Sequence, residues 1–350
     1  MSLELAARRT TWRANRDLVI IGAAAVCFVA SALVLHWVTG APFTWPSEGE
    51  SRPIGMHYLV PFLVGIGGYA VLWGATRWLP NGRRRRFGVG EMLGDAYFLV
   101  LFVIVMYVHF HIKMWMAVLS PRLYDSTYLA IDHQLQWLIM PMRALRAALA
   151  QLVPGIDALY QFGFLLMFAI SFWFHALGDR RYLRHYLTAV LLLEMLGAFA
   201  YLLVPAVGPF VHERGPNVLA TEAQRVMLET FRAARAGGMA WIKARGGATV
   251  TSMPAAMPSL HVAGAMLMSY YAARARLWVT PLLVVLSVWI AIESVVTRWH
   301  YVVDLPAGLA LAGLIILTTN RICRHRELLA RRSATAPVPA EGVAFGMRAR

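Results

Sequence analysis

Eight stretches of the chain are apolar enough, or nearly so, to span a membrane: 18–38, 57–79, 96–119, 156–177, 186–207, 259–274, 278–297 and 301–320. A bilayer core about 30 Å thick takes roughly 20 such residues as a helix. A segment in lipid must satisfy its own backbone hydrogen bonds, so a chain of this pattern is restricted to helices or a closed barrel. Runs of this length are helical. The expected fold class is therefore all-α, a polytopic membrane protein with about eight transmembrane helices. With 59% hydrophobic and only 15% charged residues, the chain is too apolar for one soluble domain.

The net charge of +15 would suggest a nucleic-acid partner in a soluble protein. Here the arginines cluster between apolar runs, so topology accounts for them and no nucleic acid is expected. The N-terminus, "NGRRRRFG" (81–88), "GDRRYLRH" (178–185), "ARAR" (273–276) and "RICRHRELLARR" (321–332) fall on one side. By the positive-inside rule that side is cytoplasmic. The other side receives 40–56, 120–155, 208–258 and the turn at 297–301. It would be periplasmic or extracellular, or luminal in a eukaryote, and both termini cytoplasmic. The segment 18–38 follows Arg8, Arg9, Arg13 and Arg16 but is too long for a signal-peptide core, so it reads as a retained span. Cys27 and Cys323 lie far apart and define neither a disulfide framework nor a thiolate metal site.

Two outer loops are long. Within 121–153, polar residues alternate with "YLAIDHQLQWLIM", the pattern of helices lying along the interface. In 218–236, Thr221 and Gln224 fit a capping box, Met227, Phe231 and Ala234 form one apolar face, and Gly237-Gly238 stops the helix. This helix reads as interfacial or as a lid over a site. The Pro/Ala/Gly-rich tail from about 333 reads as disordered.

Chemistry concentrates at two helix starts on the outer side. His300 and Asp304 lie four residues apart, hence on one helical face. A carboxylate so placed holds one imidazole nitrogen protonated and leaves the other as nucleophile or base. Pro258, Ser259 and His261 put a hydroxyl, free helix-start amides and a second imidazole at another N-terminus, which suits an anion. At headgroup depth that anion is a phosphate. Together the residues ask for a phosphoester, one histidine that attacks and one that protonates the leaving oxygen. Ionisable groups inside spans also invite a functional reading. Lys113, one turn from His109, either serves the site or snorkels to the headgroups, and His111 reads as a helix–helix hydrogen-bonding residue. Glu194 is either protonated and structural or paired with a base. Glu293 either pairs with Arg298 or Lys113 or binds an acceptor hydroxyl.

"PSLH" followed by "HYVVD" resembles the type 2 phosphatidic acid phosphatase superfamily, which also contains the vanadium haloperoxidases. Of its three motifs, P-S-x-H matches at Pro258, Ser259 and His261, whereas S-R-x5-H-x3-D matches only at His300 and Asp304. Glu293 and Ser294 occupy the Ser and Arg positions, and the K-x6-R-P motif is absent from "YLLVPAVGPFVHERGP" (201–216). Tyr201, Pro205, Gly208 and Pro209, with Thr297, His300, Tyr301, Asp304 and Gly308, are instead similar to the inositol phosphorylceramide synthase-like branch.

The resemblance covers roughly 156–320 and implies a helix-bundle catalytic domain there. It would be preceded by transmembrane helices and an outer interfacial segment at 1–155 and followed by a cytoplasmic disordered tail at 321–350. It implies that His300 becomes a phosphohistidine, that Asp304 orients it, that His261 donates a proton and that Ser259 binds a phosphate oxygen. Neither a metal nor another cofactor is implied. Arg298, Lys113, Arg214 and Lys243 are the candidate substrate-binding cations in place of the missing arginines. The partners are a lipid phosphoester and water or an alcohol: water makes the chain a lipid phosphate phosphatase, an alcohol a phosphotransferase, toward which the altered motifs lean. A phosphate-lipid transporter is the non-enzymatic rival, disfavoured because the chain has no internal repeat. The oligomeric state is left open.

Overall fold

The computed structural model describes residues 16–47 and 89–335, together with isolated positions between 67 and 74. Among the described residues all long regular elements are helices: α1 Arg16–Thr39, α2 Val89–Leu119, α3 Asp125–Gln134, α4 Gln136–Leu152, α5 Ile156–Leu177, α6 Arg180–Leu203, α7 Val218–Thr249, α8 Leu260–Arg274, α9 Thr280–Val296 and α10 Asp304–Thr335. A single 3-10 turn, Pro209–Val211, joins them. The chain is all-α, as its hydropathy requires. The segments 1–15, 81–88 and 336–350, and most of the expected span 57–79, lie outside the described residues.

Arg16–Thr39, Leu93–Leu119, Arg181–Leu203 and Asp304–Arg324 are long and apolar enough to cross a membrane, whereas the apolar parts Phe162–Leu177 and Thr280–Val296 are shorter. Two boundaries depart clearly from expectation. The expected span 186–207 ends at Leu203, with Val204 as its C-cap. Pro205 cannot donate a helical hydrogen bond and drives the residue before it out of the helical region. At the far end, α10 runs on to Thr335, so 321–335 are helical rather than part of a disordered tail.

The short span expected at 259–274 positions the site. At 15 residues, α8 is the shortest of the expected spans among the described residues, about 22 Å long at 1.5 Å per residue. It packs against α5, α6, α9 and α10 and buries Val262, Ala263, Ala265, Leu267, Met268 and Tyr271. Enclosed by protein on these sides, α8 has no need to match the thickness of the hydrocarbon. Ser269 on α8 and Ser287 on α9 share a hydrogen bond of 2.7 Å across the contact. The N-terminal helices α1 and α2 add to the bundle through α6.

Helix α7 begins earlier than expected. Its N-cap is Asn217, whose side chain accepts from the Ala220 amide at 2.9 Å. The expected cap, Thr221, instead donates to the Asn217 carbonyl at 2.7 Å, and Gln224 donates to the Thr297 carbonyl at 2.8 Å. Gly238, with φ 62° and ψ −151°, breaks the helix where Gly237-Gly238 was expected to stop it, and a second helical stretch continues to Thr249. Met227, Phe231 and Ala234 are buried, as their shared face predicted.

Candidate active site

The turn after α9 carries the first of the two histidines. Arg298 N–H donates to Val295 O at 3.1 Å and Trp299 N–H to Ser294 O at 3.0 Å, the pair of bonds that closes a Schellman motif. The residue in the left-handed position is Arg298, with φ 65°, where glycine is usual and a side chain costs about 1–2 kcal/mol. Tertiary contacts hold it there. The guanidinium is 1% exposed, and its Nη1 lies 3.3 Å from Asp132 Oδ2 and its Nη2 3.3 Å from Glu213 Oε2.

Two aspartates of the short helix α3 pin this segment. Asp132 also accepts from the Val302 amide at 2.9 Å. Burial pushes its carboxyl pKa upward, against the Val302 amide and Arg298, which favour the charged form. Asp125 accepts from the Val207 amide at 3.0 Å, the Gly208 amide at 2.8 Å and the Tyr301 hydroxyl at 2.9 Å. Sequence reasoning missed both residues. The available signal was their spacing of seven, which places two carboxylates on one face of a helix in the segment read as interfacial.

His300 follows the turn and is buried. Its Nδ1 lies 3.2 Å from Asp304 Oδ2, an oxygen that also accepts the Tyr301 amide at 2.9 Å. A carboxylate accepts, so Nδ1 carries the proton and Nε2 keeps its lone pair. Asp304 Oδ1 is buried with no hydrogen-bond partner among the described residues.

Ser259 caps α8, its Oγ accepting from the Val262 amide at 3.3 Å, while its own amide donates to the Asp304 carbonyl at 3.2 Å. The two helix starts approach closely because position 308 is glycine: a Cβ there would lie 2.5 Å from the Ser259 carbonyl oxygen. One turn of α8 therefore sits against one turn of α10. His261 comes within 6.0 Å of His300 between ring centroids, with Tyr160 and Phe164 of α5 on its other sides at 5.4 and 4.6 Å.

The structure thus brings His261, His300, Asp304 and Ser259 together. Of the candidate cations, Lys113 lies on α2. Its Nζ stands 5.8 Å from the Tyr201 ring centroid, and its charge reaches His261, His109 and Glu194. Glu194 does pair with a base: His109 Nδ1 lies 3.2 Å from its Oε2. Arg298 adjoins the site but is engaged by Asp132 and Glu213. Lys243 is exposed on the second stretch of α7, and Arg214 lines a cavity whose walls include neither imidazole. Two further expectations change. Glu293 faces Arg146, with Nε 3.6 Å from its Oε2, and Asn217, rather than Arg298 or Lys113, because its side of α9 packs on α4. His111 accepts from the Thr44 amide at 3.0 Å, bonding the 40–47 segment instead of another helix.

These observations define a class: an all-helical membrane protein with two adjoining histidines, one buried and oriented by a carboxylate and one half-buried, at the start of two touching helices. Comparison with known families matches residues 136–318 to the PAP2 superfamily. The match spans more than half of the chain, and the protein belongs to that superfamily, whose members act on phosphoesters as phosphatases or through phosphotransferase-type chemistry. The matched segment contains Ser259, His261, His300 and Asp304 but not Lys113. No curated protein and no solved structure matches the chain.

Proposed function

We propose that the protein transfers a phosphoryl or phospho-headgroup between lipids through a phosphohistidine on His300, in the manner of the inositol phosphorylceramide synthases. The observation that carries this reading is the His261–His300 approach of 6.0 Å with Asp304 on the far nitrogen of His300. Nε2 of His300 attacks phosphorus as the ester P–O bond breaks, and His261 protonates the departing oxygen. Asp304 stabilises the imidazolium-like ring that results. In the second half, His261 takes the proton of the acceptor hydroxyl as that oxygen displaces His300. Ser259 donates its hydroxyl hydrogen to a phosphate oxygen, and Lys113 supplies positive charge that phosphoryl transfer requires.

The preference for an alcohol acceptor rests on the motif residues Tyr201, Pro205, Gly208, Tyr301 and Gly308. Support comes from Asp125, which ties the Gly208 amide to the Tyr301 hydroxyl and so makes one assembly of two distant motifs. The Arg-rich loops favour a site on the periplasmic, extracellular or luminal face. Purified protein in mixed micelles, given phosphatidic acid, an isoprenyl diphosphate or phosphatidylinositol labelled at phosphorus, tests the reading. Label moving to a new lipid only when ceramide, diacylglycerol or a polyol is present supports transfer. Label released as phosphate regardless of acceptor would make the protein a lipid phosphatase. Turnover surviving in His300→Ala would remove the phosphohistidine altogether.

A further inference from the structure

A second site lies beside α4. A cavity of about 480 Å³ is lined by Arg143, Arg146, Glu213, Arg214, Gly215 and Val296, among others, a size that suits a small ligand or headgroup. Three arginines and one carboxylate residue are among its lining. That carboxylate is already engaged, with Glu213 3.3 Å from Arg298, 3.5 Å from Arg143 and 3.8 Å from His133. Arg146 is buried and held in place by Asp157 and Glu293, which also offset its charge, so the anion would rest mainly on Arg143 and Arg214. Arg143 is half-buried and Arg214 exposed, leaving both able to close on a ligand.

The other face of α4 tells where this cavity sits. Trp137, Leu145 and Leu152 are exposed there, on the side of the helix turned away from Arg146. An exposed apolar face on an amphipathic helix belongs in the acyl boundary of a bilayer, which brings the cavity beside α4 within reach of the lipid headgroups. Arginine's planar fork matches phosphate oxygens in pairs.

We propose that this cavity binds the phosphate-class anion of a second, non-reacting lipid headgroup. The inference goes beyond the proposed chemistry and does not require turnover at His300. The bound anion would draw Arg143 from Glu213 and leave Glu213 to Arg298, two residues before His300, so the occupant of this cavity would reach the catalytic turn.

The test measures binding of dihexanoyl phosphatidylglycerol, inorganic phosphate and neutral dihexanoyl glycerol to the full chain in neutral detergent. It compares the parent with His300→Ala and with the paired variant Arg143→Gln/Arg214→Gln. Loss of two charge-assisted contacts should weaken the phosphatidylglycerol arm about tenfold or more, while His300→Ala keeps it. Glu213→Gln, which removes the competing carboxylate, should tighten it. Stronger binding of phosphatidylglycerol than of phosphate assigns a lipid source, and equal binding a free phosphate. Anion binding kept at parent strength in the paired arginine variant, or lost in His300→Ala, would overturn the proposal, as would parent protein that binds the anionic lipid no better than dihexanoyl glycerol.

Discussion

Arg298 offers a quantitative test of how the catalytic turn is held, through the substitutions Arg298→Ala and Arg298→Gly with and without Asp132→Asn. Removing the guanidinium leaves the Asp132 carboxylate, itself 0% exposed, without its partner at 3.3 Å. Breaking a buried pair from one side costs about 3–5 kcal/mol. The second partner, Glu213, has a side chain 40% exposed, and pairs so open to solvent contribute about 0–1 kcal/mol. The backbone acts in the opposite sense: glycine adopts the left-handed conformation freely, so Arg298→Gly should be more stable than Arg298→Ala by about 1 kcal/mol. At roughly 2 °C per kcal/mol, the low end for larger domains, thermal unfolding in detergent should shift down by about 6–10 °C for alanine and about 2 °C less for glycine. Adding Asp132→Asn removes the stranded charge, so the double variant should lose less than the sum of the singles. Equal unfolding temperatures for the glycine and alanine variants, with strictly additive effects of Asp132→Asn, would refute both the strain and the buried ion pair.

Three further outcomes follow from the same geometry. Asp304→Asn should preserve the fold yet lower kcat by about 10²–10⁴-fold, because it frees the His300 tautomer, and steady-state turnover measures it. Lys113→Met should lower kcat/KM by about 10²–10³-fold if its charge faces the phosphoryl oxygens; unchanged kinetics would return Lys113 to a structural partner of Glu194. Gly308→Ala places a Cβ 2.5 Å from the Ser259 carbonyl oxygen, and the forced separation of α8 and α10 should cost about 1–3 kcal/mol along with turnover, read by thermal unfolding and activity together.

The amino-acid sequence by itself determined the helical class, most of the spans and the two histidine motifs. Each is a local property: a run of apolar residues, or a spacing of four on a helix. The alternation of arginine-rich loops led to the expectation that both motifs lie on one side of the membrane, and the fold brings the two motifs together. It did not determine what surrounds them. Asp132 meets Arg298 and Val302 across separations of 166 and 170 residues, and Asp125 meets Tyr301 across 176. No periodicity encodes such pairings, because they depend on how α3 lies against the end of α9. The same holds for Glu293, whose partner Arg146 comes from α4, and for α8, whose shortness made sense only once four helices enclosed it. Hydropathy reports the solvent that a segment prefers, and helical spacing reports the face on which a side chain lies. Which charges meet is decided by packing, since a buried charge is tolerated only where the fold brings its partner to it.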